Sequence, residues 1–508
     1  MTNFEPRLLT PAVEASDIVD VDVLIVGAGL SGIGAAWHIQ QRCPDRSFAI
    51  LEGRAAIGGT WDLFRYPGIR SDSDMYTLGY AFRPWTEAKA IADGPSILQY
   101  VRDTAHEAGI DDHVRFHCHV KRASWSSETA RWTVEAERKD SGETVTLTCR
   151  WIHMCSGYYD YAQGHLPEFA GRDAFKGEFV HPQFWPEDLD YTGKRVVVIG
   201  SGATAVTLVP EMAKAAGHVT MLQRSPTYVV SRPAEDRVAN WLRKKLPAMV
   251  AYGIVRWRNV LLQLLFFQLS RRRPAMMKKQ MLKGVSDALG PDYDVGKHFT
   301  PSYNPWDQRV CLVPDADLFE VIKTGKAEVV TDRIDTLMPN GIRLASGEEL
   351  KADVIVAATG LKIQLLSDIE FSVDGEVRQL SETLTYKGLM FSDVPNLSYS
   401  FGYTNASWTL KADLTSGFVC RLLNHLRNCG CQIAVAHRGP GVAEAPFLDF
   451  SSGYVQRAAA ILPKQGATSP WKLNQNYALD MAALKLGKLD DGVMKFMRRG
   501  ARVGDKVA

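Results

Sequence analysis

Two short glycine-rich turns, each set between an apolar strand and a helical pattern, constrain this chain more than any other feature. The first lies in VDVLIVGAGLSGIGAAWHI, where an apolar run leads straight into Gly27, Gly29 and Gly32. This is G-x-G-x-x-G in the context a dinucleotide site requires. The first glycine permits a tight turn, the second lets a pyrophosphate approach the backbone, and the third lets helix and strand pack closely. The second lies in KRVVVIGSGATAVTLVPEMAKAAG, with Gly200, Gly202 and Ala205. A chain that carries both is predicted to be α/β, with two Rossmann-like dinucleotide-binding domains.

The strand after each turn sorts the nucleotide. SFAILEGR ends in Glu52, at the spacing of a carboxylate that accepts hydrogen bonds from a ribose diol and disfavours a 2′-phosphate. HVTMLQRSPTYVV puts Arg224 and Ser225 at the equivalent place, and a guanidinium there suits the 2′-phosphate of NADPH through charge-assisted bonds. Two more strands that end in glycine, WIHMCSG at 151–157 and ADVIVAATG at 352–360, extend the pattern. The expectation is one domain for FAD and one for NADPH.

With 508 residues, 46% of them hydrophobic, the chain can bury several cores, and a net charge of +2 leaves no electrostatic footprint for nucleic acid. The eight cysteines are scattered without a C-x-x-C pair, which fits a reduced, cytoplasmic protein. His117, Cys118 and His119 alternate as a strand would and no second cluster completes a site, so no metal is expected. The first twenty residues lack the pattern of a signal peptide and read as a flexible lead-in. The longest apolar run, 260–269, is too short to span a bilayer and is interrupted by Gln263 and Gln268.

The segment FKGEFVHPQFWP, 175–186, is neither a clean helix nor a clean strand. Its Phe175, Gly177, His181, Trp185 and Pro186 match the fingerprint FxGxxxHxxxWP. Gly58, Gly59, Trp61, Tyr66, Pro67, Gly68 and Asp72 form a second signature in GGTWDLFRYPGIRSDSD. On these residues the chain resembles the flavoprotein monooxygenases with two dinucleotide-binding domains, in the type I Baeyer–Villiger version that ends in Trp-Pro. Through DLFRYPGIRSDSDMYTLGYAF, NPWDQRVCLVPDADLF, GYTNASWTLKADL and PWKLNQNY it is most similar to the ethionamide-activating branch. The likeness runs from about Val21 to about Phe496.

The resemblance implies FAD contacts at Gly27, Gly29, Gly32, Glu52, Gly59, Thr60, Trp61, Asp72 and Val120. It implies NADPH contacts at Gly200, Ser201, Gly202, Ala203, Thr204, Arg224 and Ser225. Many relatives carry a lysine where this chain has Gln308, so Arg224 would carry more of the preference for the 2′-phosphate. His181 and Trp185 would order the hinge between the domains. In the implied reaction NADPH reduces FAD, dioxygen adds to the reduced flavin as a peroxide, and that adduct converts ketones to esters or lactones and oxidises sulfides or thioamides. Arg309 would hold the resulting negative charge and Asp72 would fix Arg309, which makes these the catalytic pair. The alternative is a monooxygenase that acts mainly on nitrogen or sulfur. Pyridine-nucleotide disulfide reductases share the two-domain plan but need a redox cysteine pair soon after the first turn, and GGTWDLFRYPG has none.

The expected division is 18–158 and 357–508 for the FAD domain, 159–225 and 306–356 for the NADPH domain, and 226–305 for an inserted helical subdomain that shapes the substrate cavity. Within the insertion an apolar run is flanked by Arg256, Arg258, Arg271, Arg272, Arg273, Lys278 and Lys279, so peripheral membrane contact is one reading beside a buried helix with a solvated basic edge. In GYTNASWTLKADL, Thr404, Asn405 and Ser407 are candidate caps of a helix whose start would face the flavin, and Trp408 reads as pocket wall.

Overall fold

The computed structural model describes residues 19–448 and 452–502, so most of the expected lead-in lies outside the described residues. β1 (Val19–Val26) enters the first turn and α1 (Leu30–Arg42) leaves it. β2 (Phe48–Leu51) pairs with β1 in parallel. β3 (Cys118–Ser126), β4 (Arg131–Arg138) and β5 (Thr144–Met154) form an antiparallel meander, and β5 also lies parallel to β1. Val23 thus faces Phe48 on one side and Trp151 on the other. Strands buried on both faces read as unbroken apolar runs, which is why FAIL and WIHM lack a polar alternation.

The chain leaves this sheet through β6 (Tyr159–Gly164) and builds a second one from β7 (Glu178–Val180), β8 (Arg195–Ile199) and, after α2 (Ala203–Met212), β9 (His218–Gln223). Next comes β10 (Tyr228–Arg232), then α3 (Arg237–Arg243), α4 (Ala248–Arg272) and α5 (Pro274–Leu289). β11 (Val310–Pro314) returns to pair with β10. β12 (Ala327–Thr331) and β13 (Val354–Ala357) complete a parallel sheet in the order β12-β9-β8-β13-β7. β14 (Leu361–Ile363) then crosses back antiparallel to β6, and β15 (Leu397–Tyr399) rejoins the first sheet beside β5. α6 (Trp408–Cys429) packs along α1.

The fold is therefore α/β with two Rossmann-like units and a helical insertion. One expectation needs correction. The stretch 226–305 does not begin in a helix, because β10 occupies its start and pairs in register with β11, Tyr228 facing Val310. A partner that far along the chain leaves no local periodicity to read. Among the described residues no helix is long and apolar enough to cross a membrane.

Candidate active site

The first turn is shaped by its strand crossing. Gly27 has φ +105°, and a Cβ there would sit 2.6 Å from the carbonyl oxygen of Cys155, on the chain leaving β5. Only glycine meets both conditions. No side chain caps α1 at Gly29, so the amide groups of its first turn stay available to an anion. Glu52 follows β2, and its carboxylate accepts from the amides of Ala28 at 2.8 Å and Arg54 at 2.9 Å. Burial pushes this carboxyl above the ordinary glutamate range, while the two amides pull the other way.

These residues line one end of a cleft of about 1740 Å³ to which both halves of the chain and α4 contribute. Gly27, Gly29, Glu52, Gly59, Thr60, Trp61, Asp72 and Val120 all face it. The backbone cradle, the open helix end and the carboxylate next to it match the donor and acceptor set of a dinucleotide, and the cleft has room for one of FAD's size. The residues present fit FAD.

Further along the same cleft, the Arg309 guanidinium donates to Asp72 Oδ2 at 3.2 Å and to the Tyr158 hydroxyl at 3.4 Å. Burial works against the charge on Arg309, but the Asp72 carboxylate beside it favours the charged form, and the group is held well above its ordinary value. The Tyr158 ring stacks on Trp408 with centroids 5.1 Å apart and planes 9° from parallel. Its hydroxyl lies 2.5 Å from that of Tyr159, which burial pushes up to about 12. Both tyrosines therefore stay neutral at the pH of folded protein, and Arg309 is the fixed charge of this wall.

The second turn repeats the first, with Gly200 at φ +137° and Ala205 buried at the third position. Ser201 Oγ donates to the Ser225 carbonyl at 3.1 Å, tying turn to strand end, and Arg224 points outward as an exposed side chain. Ala203 and Thr204 reach the cleft, whereas Gly200, Ser201, Gly202, Arg224 and Ser225 lie outside it, with Gly202, Arg224 and Ser225 exposed.

The fingerprint segment lies on the crossing ribbon. His181 Nε2 lies 3.3 Å from the carbonyl oxygen of Gly360, just before β14, and Nδ1 accepts from the Gln183 amide at 3.2 Å. The Gln183 side chain donates to the Asp160 carbonyl in β6 at 2.8 Å. A Cβ on Gly164 would sit 2.1 Å from His181 Cε1, so imidazole and ribbon are in direct contact. A Cβ on Gly177 would likewise sit 2.3 Å from the Asp353 carbonyl oxygen, so the strand Phe175 leads into can lie this close against β13. Trp185 packs edge-on against Tyr191.

The expected caps of α6 are corrected by the structure. Ser407 occupies the cap position without a side-chain bond to the helix, because its hydroxyl pairs with Thr77 Oγ1 at 2.6 Å. Thr404 and Asn405 bond Gln475 instead. All the same, Thr404, Asn405 and Trp408 face the cleft.

Several contacts escaped the sequence. Tyr158 carries no motif, although its place after a β5 exit is where ligands meet open α/β sheets. Asn259 and Gln263 of α4 both donate to Asp74, at 2.9 and 3.0 Å, and clamp the insertion onto the loop that carries Asp72. Their i, i+4 spacing was the available signal. Arg70 pairs with Asp317 at 2.5 Å and Tyr66 bonds Thr204, so the RYPGIRSD loop docks on the second unit at three points.

Residues 89–285 match the flavin-binding monooxygenase-like family model, and residues 25–92 match that of the NAD(P)-binding Rossmann-like domain. The chain is 55% identical to the FAD-containing monooxygenase EthA of Mycobacterium tuberculosis strain ATCC 25618 / H37Rv, over 95% of its own length and 99% of that protein's. It is 50% identical to the putative FAD-containing monooxygenase MymA of the same strain, over 94% and 97%. The fold is similar to that of an oxidized steroid monooxygenase bound to NADP, with a TM-score of 0.71, 22% identity, and 94% and 100% of the two chains covered.

Proposed function

Because this chain belongs to the family of FAD-containing, flavin-binding monooxygenases, we propose that it is an NADPH-dependent Baeyer–Villiger enzyme that converts ketones to esters or lactones and also oxidises sulfides or thioamides. Overall, a ketone, dioxygen, NADPH and a proton become an ester, NADP⁺ and water. FAD, when bound, supplies the two-electron centre that accepts hydride and activates dioxygen.

The observation that carries the reading is the Arg309–Asp72 pair at 3.2 Å in the wall of the cleft that holds the flavin cradle. Arginine keeps its proton throughout the working pH range, so it stabilises negative charge in the cleft without neutralising it by proton transfer. Asp72 and Tyr158 hold the guanidinium fork in one orientation. Tyr158 and Trp408, stacked on each other, form an apolar wall that keeps water from the reacting carbonyl. The turn from Gly200 to Thr204, with Arg224 and Ser225, binds NADPH. His181 holds the ribbon between the FAD unit, 18–158 and 357–508, and the NADPH unit, 159–225 and 306–356. The reading includes a cytoplasmic location and peripheral contact with a membrane.

The test is product analysis by mass spectrometry with FAD, NADPH, labelled dioxygen, linear ketones, phenylacetone and a thioether. Label is expected in the esters as well as the sulfoxide. Label confined to the sulfoxide would replace this reading with one of nitrogen and sulfur oxidation.

A further inference from the structure

The surface of this protein concentrates its exposed apolar side chains in one place. Of the sixteen large hydrophobic residues exposed among the described residues, ten lie on α3, α4 and α5. Seven of them are on α4, and five of these, Val250, Ile254, Trp257, Leu261 and Leu265, follow in successive steps of four, three, four and four residues. That spacing is one face of an α-helix. Leu261 is 60% exposed and Leu265 56%, and Trp241 on α3 is 59% exposed. The opposite face of α4 is equally committed inward, with Ala251, Tyr252, Val255, Arg256, Asn259 and Val260 buried. The helix cannot leave the protein to cross a bilayer, so its outer stripe can only lie against something.

Charge selects what that is. Residues 237–286 hold twelve Lys and Arg and no Asp or Glu, although the whole chain carries only +2. The rest of the molecule is therefore net acidic, and the positive charge is gathered on this one insertion. Lys244 and Lys245 precede α4 and Arg272, Arg273 and Lys279 follow the stripe, all exposed and without an ion-pair partner among the described residues. Over 25 residues at about 1.5 Å each the helix is about 37 Å long, so basic groups bracket an apolar middle. A second copy of the same face would meet it with like charge at both ends. An anionic lipid surface meets it with opposite charge, and Trp241 and Trp257 suit the depth of the headgroups.

The same insertion forms the mouth of the cleft. Leu262 and Val238 are half-exposed on the outer surface and also line the cleft, with Phe266 one turn further in. We propose that the α4 face docks this enzyme on an anionic phospholipid bilayer and that the cleft takes apolar substrate directly from the lipid between Val238 and Leu262. The second half of this proposal rests on reading the cleft as the substrate site.

The experiment uses FAD-loaded enzyme, vesicles of phosphatidylcholine with and without phosphatidylglycerol, and the double variant Leu261→Glu/Leu265→Glu. Both positions are exposed and neither lines the cleft, so folding and the cleft are preserved. Wild type is expected to float with the anionic vesicles and not with the neutral ones, and the variant to lose at least about tenfold in partitioning. With a short, water-soluble ketone the two proteins should turn over equally; with a long-chain ketone dissolved in the vesicles the variant should fall by a similar factor. Wild type that ignores anionic vesicles, equal binding to neutral ones, undiminished flotation of the variant, or a dimer in light scattering that the variant dissociates would each overturn the docking. Equal loss on both ketones, or no loss on the long one, would overturn the lipid route. A wild type that binds vesicles but oxidises neither ketone would count against the proposed reaction and leave the docking intact.

Discussion

Arg309 and Asp72 meet at 3.2 Å although 237 residues separate them. Asp72 sits on the loop after the first dinucleotide turn, and Arg309 on the segment that returns from the helical insertion into β11. The pair exists only once the two units have docked, so the charged wall of the cleft reports that the domain interface is closed.

Replacing Arg309 with Ala should leave flavin reduction by NADPH near the wild-type rate and lower ester formation by about 10²- to 10³-fold, the usual loss when a preorganised electrostatic group is removed. Asp72→Asn should cost less, about tenfold, since Tyr158 still holds one side of the guanidinium. Stopped-flow bleaching of the flavin read beside gas chromatography of the product separates the two steps. Unimpaired ester formation by the alanine variant would refute the role assigned to Arg309.

Arg224→Ala should raise the KM for NADPH by about 10- to 100-fold, the worth of one or two charge-assisted bonds, and leave the KM for NADH unchanged. Steady-state oxidation of both cofactors measures this. An equal rise for the two would remove the 2′-phosphate from the argument.

A methyl group added at Gly164 would land 2.1 Å from a rigid imidazole. Gly164→Ala is expected to lower stability by about 1–3 kcal/mol through overpacking. Adding His181→Ala to it should restore most of the loss, since the clash goes with the ring. Thermal unfolding of the two single variants and the double gives the cycle, and strict additivity would mean that the ribbon accommodates the methyl by moving elsewhere.

His153 is wholly buried in β5, with Nδ1 2.9 Å from Ser398 Oγ, and burial lowers its imidazole from 6.5 to about 4. Between those values the unfolded chain binds a proton that the folded chain refuses, so stability is present above pH 6.5 and is lost as pH falls toward 4. The loss should total about 3 kcal/mol. His153→Gln should flatten that part of the profile in urea titrations run from about pH 7 to about pH 4.5. A slope unchanged by the substitution would assign the acid sensitivity to other groups.

What could be read from the sequence followed the range of the interactions. Both turns were legible because strand, glycines and helix are contiguous, and Gly27, Gly32 and Gly200 each have a steric reason to be there. Glu52 and Arg224 followed by counting to the end of the next strand. Arg309 and Asp72 could be named from their sequence blocks, but their meeting is a tertiary event. Ser407 was misread as a cap because its hydroxyl is taken by Thr77, 330 positions earlier. β10 was hidden for the same kind of reason, its partner β11 lying beyond the whole insertion. The outward stripe of α4 was masked by the apolar inner face of the same helix, so the two together read as one hydrophobic run.

The crossing ribbon of β6 and β14 has a consequence for how the molecule is made. Every strand of the second sheet lies between Glu178 and Ala357, whereas the first sheet needs both Val19–Val26 and Leu397–Tyr399. A ribosome therefore releases the complete second unit while the first, begun earlier, is still missing five strands of its sheet and its longest helix, α6. The domain that starts first finishes last, and its N-terminal strands spend the interval with apolar edges that wait for partners not yet synthesised.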